Sequence, residues 1–341
     1  MAAANRTGRE IRLVSRPADW PSPENFALAE VEAGPPAEGE VVVRNVFVSV
    51  EPYMRGRMND TPSYVPPYRI GEALEGGAVG VVVDSREPAL PNGTWVSSML
   101  GWRELARGPA AAFRMIDVAL APPAAYLGVL GVPGFTAWIG LREIANLRAG
   151  ETLFVSSAAG AVGSIAGQLA KHLGARAVGS AGGPEKVRYL TERLGFDAAF
   201  DYRAGKIRAQ LAAAAPDGID VYFDNVGGEQ LEAALAALRP FGRIALCGMI
   251  AGYNEPLPGP RNLAFAIGKR LTLRGFIVLD HYARYEEFLR EVAPLVRAGT
   301  LVAPESIVEG IERAPQAFIE MLRGGTHLGK VLVRVGSDDP V

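Results

Sequence analysis

Cysteine is nearly missing from this sequence. Cys247 is the only one in 341 residues, which excludes an internal disulfide and any multi-cysteine metal site. Histidine is scarce as well, and His172, His281 and His327 are widely scattered. A catalytic zinc needs about three cysteine, histidine or carboxylate ligands in a tetrahedral set, so no metal is expected. An excess of one charge is also absent. The 35 Lys and Arg residues nearly cancel the 37 Asp and Glu, leaving −2, without the clustered basic surplus of a nucleic-acid surface. A small uncharged or weakly anionic ligand is the natural partner. The amino terminus carries Arg6, Arg9, Glu10 and Arg12 where a secretory signal would need an apolar core. With the cysteine usage, this points to a cytoplasmic location. Charge is missing altogether between Asp117 and Arg142, a span of about 24 residues, long enough to cross a bilayer. Pro122, Pro123, Pro133, Gly128, Gly131 and Gly134 interrupt it, and in lipid such breakers leave backbone groups without partners. A buried segment between domains is expected instead, with no membrane partner.

What is present falls into two rhythms. The first third holds short Val-rich runs such as Glu40–Val48 and Gly77–Val83, bounded by Gly and Pro turns. Several in series predict a small, partly open β-barrel. Beyond Leu147, strands at Thr152–Ser156, Ala175–Gly179, Asp197–Phe200, Ile219–Phe223, Arg243–Leu246 and Leu271–Val278 alternate with helices. The helices are placed at Ala161–Leu173, Glu185–Leu194, Lys206–Ala214, Glu229–Leu238 and Tyr285–Arg297. Such alternation predicts an α/β, doubly wound parallel sheet. The tail returns to strand-like runs at Glu305–Val308 and Gly329–Val335 and is expected to rejoin the barrel. The domains are therefore placed at 1–130, 131–297 and 298–341.

The sharpest chemical signal is the segment from Phe154 to Gly163, between a strand and a helix, where a dinucleotide fingerprint belongs. Ala158 takes the first glycine position, with Gly160 and Gly163 in the others, and Ala161 and Val162 open the helix. Gly160 would let the backbone approach a pyrophosphate, and Gly163 would let the helix pack close to the strand. The helix amino terminus then offers free N–H groups to the phosphates. Taken alone, such a turn also occurs with no ligand; its context favours a nucleotide. About 20 residues on, an NAD site usually carries an acid for the ribose hydroxyls. Here Gly179-Ser180-Ala181-Gly182-Gly183 has none, and Lys186 and Arg188 follow. Lys186 reads either as a partner for a 2′-phosphate or as a solvated residue paired with Glu185. The missing acid favours NADPH in both cases.

On four segments the chain resembles the zinc-independent branch of the medium-chain dehydrogenase/reductases, and within it the leukotriene B4 dehydrogenase/prostaglandin reductase, alkenal double-bond reductase and curcumin reductase group. They are Ser49-Val50-Glu51-Pro52-Tyr53-Met54-Arg55-Gly56-Arg57-Met58, Ala158–Gly163, Phe223-Asp224-Asn225-Val226-Gly227-Gly228 and Arg274-Gly275-Phe276-Ile277-Val278. The resemblance implies a GroES-like barrel plus a Rossmann domain, with nicotinamide and substrate in the cleft between them. It implies that Lys186 and Tyr202 contact the 2′-phosphate, and that Gly182, Asn225, Cys247 and Phe276 lie along the cofactor. Tyr53 and Tyr253 would line the substrate side, and a homodimer paired through the Rossmann sheet edge is implied. Two positions depart from the pattern: Glu51 stands where relatives usually carry Asp, and His327 where they often carry the Asn at the nicotinamide end.

Zinc alcohol dehydrogenases share this architecture, but where they carry their first metal-binding cysteine this chain reads Val48-Ser49-Val50. Without a Lewis acid, an enone or alkenal is a more tractable substrate than a simple ketone, because hydride at the β-carbon leaves an enolate that hydrogen-bond donors can stabilise. Tyr253 is the leading donor, with pocket packing as its alternative role. Tyr53 and Tyr64 would shape the pocket or supply a proton, and Tyr282 would face the cleft. Quinone reduction shares cofactor and fold and is the second reading, and an NADPH-binding protein without turnover is the third.

Overall fold

The computed structural model describes residues 6–337. These divide into two compact units, one made of residues up to Leu127 together with those from Glu305, the other Gly128–Pro304. Strands β1 (Arg6–Leu13), β2 (Phe26–Ala33), β3 (Glu40–Ser49), β4 (Ala78–Ser85), β5 (Trp95–Ser98), β6 (Leu105–Pro109) and β7 (Phe113–Met115) open the chain, with a single helical turn, α1, at Met54–Arg57. The second unit holds α2 (Val132–Ile139), β8 (Thr152–Val155), α3 (Ala161–His172), β9 (Arg176–Ala181), α4 (Pro184–Glu192), β10 (Ala198–Asp201), α5 (Ile207–Ala214), β11 (Ile219–Asp224), α6 (Gly228–Ala237), β12 (Leu238–Leu246), α7 (Ala264–Lys269), β13 (Thr272–Gly275) and α8 (Tyr285–Arg297). The chain then returns to the first unit with β14 (Glu305–Glu309), α9 (Ala314–Leu322) and β15 (Lys330–Arg334).

In the first unit β1 and β2 pair antiparallel, and the remaining strands run in the order β14-β15-β3-β4-β5-β7, with β6 also on β3. β3 sits in the middle, which is why its sequence is almost continuously apolar rather than alternating. Val41, Val43, Val82, Val96 and Phe113 form the core between these strands. The tail's return, expected from its strand-like runs, is made by β15 lying antiparallel to β3. It also contains α9, whose Phe318 packs edge-on against Trp102; the sequence analysis did not place this helix.

The second unit has one parallel sheet in the order β10-β9-β8-β11-β12-β13. Read as consecutive strands this is 3-2-1-4-5-6, whose order reverses between β8 and β11, and the carboxyl ends on either side of such a reversal are where open α/β sheets hold ligands. Phe154 on β8 stacks between Tyr222 on β11, 4.9 Å away, and Phe200 on β10, 5.8 Å away, and these rings anchor the core beneath that point. The charge-free run is buried through α2, where Phe135 and Trp138 pack on Phe288 of α8. No helix among the described residues is long and apolar enough to cross a membrane. Two boundaries differ from the expectation. The unit extends to Pro304 rather than 297 because Val302 exchanges two hydrogen bonds with the Gln168 side chain. The strand expected at Leu271–Val278 stops at Gly275, and residues 278–284 turn into a 3₁₀ segment.

Candidate active site

The turn between β8 and α3 is set by crowding. Gly160 caps α3 with extended backbone (φ −83°, ψ 177°), and the first turn of the helix contains no acid that would repel an anion. A Cβ on Gly163 would come within 2.4 Å of the Ser157 carbonyl oxygen, so only glycine lets the helix lie this close to the strand end. Ala158, in the first glycine position, is fully buried, and its methyl group fills the space beside Gly179, where a further Cβ would approach it to 2.8 Å. Ser157 takes a positive φ of 50° between them, the conformation L-residues other than Asn and Asp seldom adopt. Ala161 and Val162 are half-exposed at the helix start, so the amide-bearing face is accessible.

Across the reversal point, a buried polar knot joins the carboxyl ends of β8 and β11. One oxygen of Asp224, Oδ1, accepts from the Tyr222 hydroxyl (2.7 Å), the Ser156 hydroxyl (3.3 Å) and the backbone N–H groups of Val226 (2.9 Å) and Gly227 (2.8 Å). Its second oxygen is buried with no partner. Burial raises the Asp224 carboxyl above the usual range, against the pull of those donors. Ser156 in turn fixes Asn225: its hydroxyl accepts the Asn225 N–H (2.9 Å), and its carbonyl accepts from the Asn225 amide (2.8 Å). Asn225 is thus presented at the strand end in one orientation. The backbone of Cys247 and Gly248 closes on the same spot, both N–H groups donating to the Asp224 carbonyl. Desolvation, with the Asp224 charge nearby, pushes the Cys247 thiol up to about 12, so it stays protonated. The Tyr253 hydroxyl folds back over this loop, 3.4 Å from where a Cβ on Gly248 would stand.

The end of the second strand has a different character. Ser180 does not project toward a ligand; it is buried and its hydroxyl donates to Gln230 at 2.8 Å. β9 runs on to Ala181, and at its end Gly182 lies beneath the Tyr202 ring and the Arg203 guanidinium. Lys186 is half-buried one turn into α4, its pKa lowered first by desolvation and then by the charge of Arg203. Arg203 escaped the sequence analysis because it follows a strand that carries no glycine motif.

Other predicted residues fall elsewhere. Phe276 packs edge-on against Phe223 and contacts the same space as Gly140, so it reads as a core ring as much as a wall. Tyr282 is half exposed and stacks on Tyr285. In the first unit, the Tyr53 hydroxyl is shut from solvent without a hydrogen bond, and burial with Glu51 nearby raises it far above the ordinary tyrosine value. Tyr64 is mostly exposed. Lys330 is buried and donates to Glu51 and to the Val50 carbonyl, both at 3.0 Å, so the Glu51 departure keeps an ion pair that ties β15 to the segment after β3. His327 lies 3.7 Å from Glu320 of α9. Among the described residues no group of three or more His, Cys, Asp or Glu could hold a metal ion.

Comparison with known proteins gives the following. Residues 9–116 match the profile of the N-terminal domain of oxidoreductase, and residues 161–294 that of zinc-binding dehydrogenase. The NADPH-dependent curcumin reductase of Escherichia coli strain K12 is 43% identical over 346 residues, covering 99% of this chain and all of that protein. The NADP(+)-dependent 2-alkenal reductase of Nicotiana tabacum is 42% identical, covering 89% of this chain and 90% of its own. The solved structure of CurA from Vibrio vulnificus in complex with NADPH superposes with a TM-score of 0.92 at 40% identity, covering 96% of this chain and 99% of that one.

Proposed function

The chain belongs to the medium-chain dehydrogenase/reductases, in the group of the curcumin, alkenal and prostaglandin reductases, and from that membership we propose that it reduces the carbon–carbon double bond of α,β-unsaturated ketones and aldehydes with NADPH and without a metal. The observation that carries the reading is the full-length match to a curcumin reductase. The residues fit the cofactor: a glycine-walled turn opens onto α3 with no acid in its first turn, and the end of β9 offers Lys186 where an acid would repel a 2′-phosphate.

When bound, the nicotinamide supplies hydride to the β-carbon, and the electron pair of the double bond moves onto the carbonyl oxygen. Ala161, Val162 and Gly163 receive the pyrophosphate through the N–H groups of the first helical turn, and Gly160, whose own N–H donates to the Ser157 carbonyl, lets the backbone approach it. Asn225, held by Ser156, and the Cys247–Gly248 turn orient the cofactor beside the reversal point. Gly182 and Tyr202 bound the adenosine end, with Phe276 toward the cofactor's nicotinamide side. The Tyr253 hydroxyl donates a hydrogen bond to the oxygen as it becomes an enolate, and water supplies the proton added at the α-carbon. Ser49 in place of a ligating cysteine supports zinc independence.

The same reading includes a cytoplasmic homodimer. β13 pairs only with β12 among the described residues, and Phe241, Leu263, Phe265 and Ile267 are exposed around that end of the unit. Light scattering tests the dimer, and Ile267→Glu should leave a monomer. NADPH oxidation against a panel of enones, alkenals and quinones, with NADH as control, tests the reaction. Turnover of quinones but not of enones would replace the proposal.

A further inference from the structure

We propose that Arg203 is a specificity-determining residue, a second cation that acts with Lys186 beside the bare backbone of Gly182 to take a phosphate monoester on the adenosine 2′-oxygen. The inference rests on the NADPH reading and deepens it.

The placement of Arg203 is fixed by its neighbours. β10 ends at Asp201, whose Oδ1 accepts the Arg203 N–H at 2.9 Å, while the Asp201 carbonyl accepts the Ala204 N–H at 3.0 Å. This tight turn aims the arginine back over the sheet edge. The Tyr202 N–H donates to the Ala181 carbonyl at 3.1 Å, tying the turn to the last residue of β9. The guanidinium carbon lies 5.4 Å from the centre of the Tyr202 ring. A Cβ on Gly182 would stand 3.0 Å from Cε1 of Tyr202 and 3.1 Å from both Cζ and Nε of Arg203. The guanidinium therefore occupies the space that a side chain at 182 would need. That is the strand end from which an NAD enzyme projects its acid.

Lys186 shares this space closely enough for the arginine's charge to act on it. Two cations beside the bare Gly182 backbone attract an anion to that strand end. A phosphate monoester carries about −1.5 to −2 at neutral pH. The guanidinium fork matches its oxygens in pairs, while an ammonium acts as a point charge. The nearby acid, Asp201, is engaged by the backbone of the arginine it precedes.

The test is calorimetric binding of 2′,5′-ADP and of 5′-AMP to the full chain and to Arg203→Ala and Arg203→Lys. Arg203 is solvent-exposed, so both variants should melt with the parent. The parent should prefer 2′,5′-ADP. Arg203→Ala should weaken it about tenfold or more, the loss of a charge-assisted pair, with 5′-AMP unchanged, and Arg203→Lys should recover part of the loss. Unaltered 2′,5′-ADP binding in Arg203→Ala overturns the inference and leaves the NADPH reading standing. Equal loss of both ligands assigns Arg203 to the fold and also overturns it. A parent that binds the two ligands alike removes the NADPH reading itself, and this inference with it.

Discussion

Two pairs of strand ends on one edge of the same sheet use polar side chains in opposite ways. At β8 and β11, Ser156, Tyr222 and Asp224 are fully buried and bonded to one another, and Asp224 Oδ1 alone accepts four donors. At β9 and β10, Lys186 is half-buried, Arg203 is exposed and the two repel. The first arrangement leaves only Asp224 Oδ2 without a partner, and its work is to hold Asn225 and the following turn in place. The second places two cations at a strand end that solvent can reach, where an anion would be drawn to both. Shape is therefore fixed at one end of the cofactor and selectivity at the other.

Substitutions should separate these roles. The largest effect is expected for Asp224→Ala, which leaves two hydroxyls and two backbone N–H groups buried without their acceptor. The expected loss is about 3 kcal/mol, a fall of roughly 6–12 °C in melting temperature for a unit of this size. A melting temperature equal to the parent's would remove the distinction between the two regions. Lys186→Ala should do the reverse, raising the NADPH Michaelis constant about tenfold or more while stability moves by less than about 0.5 kcal/mol. Equal efficiency of the parent with NADPH and NADH would count against it. Tyr253→Phe should cut single-turnover hydride transfer by about tenfold, roughly 1.4 kcal/mol, with cofactor affinity unchanged; an undiminished rate would make the residue a wall.

A smaller effect distinguishes the charge of Asp224 from its acceptor role. Burial raises its folded-state pKa above the unfolded value, so the folded protein keeps this proton to higher pH. The stability contributed by the protonated form is full below about pH 3.9 and declines as pH rises toward the raised value. Asp224→Asn keeps an acceptor and cannot ionise. Its melting temperature relative to the parent should climb as pH rises above about 4, and a flat difference would contradict the shift. Chelator treatment should change neither activity nor melting temperature; stoichiometric zinc lost together with activity would refute the metal-free reading.

The order of these regions was partly legible in the sequence. The Ala158–Gly163 turn announced itself because close packing tolerates only glycine at 163, and the missing acid at the end of β9 was visible as a run of small residues. The buried knot was not read, although Tyr222 and Asp224 stand two apart on β11 and so share a face. Such a polar pair signals an internal network, but its partner Ser156 lies 68 residues from Asp224, and only strand order brings them together. Ser180, within the run that lacks the acid, faces Gln230, because β9 continues to Ala181, beyond the strand end expected at Gly179. Arg203 lay outside every motif. Its role emerges from the absence of a side chain at Gly182, a contact no spacing rule contains.

The sheet of the first unit is not continuous in the chain: β3 near the start takes β15, near the end, as a neighbour, and the buried Lys330 reaches back to Glu51. During synthesis the first unit must therefore wait. The residues from 128 to 304 emerge between its two parts, which at roughly 5–20 residues per second is a delay on the order of ten to forty seconds. Through that interval β4 and β6 can already pair with β3, and only its Phe47–Ser49 end lacks its neighbour. A nascent chain stalled before Lys330 would present that short end of β3 unpaired.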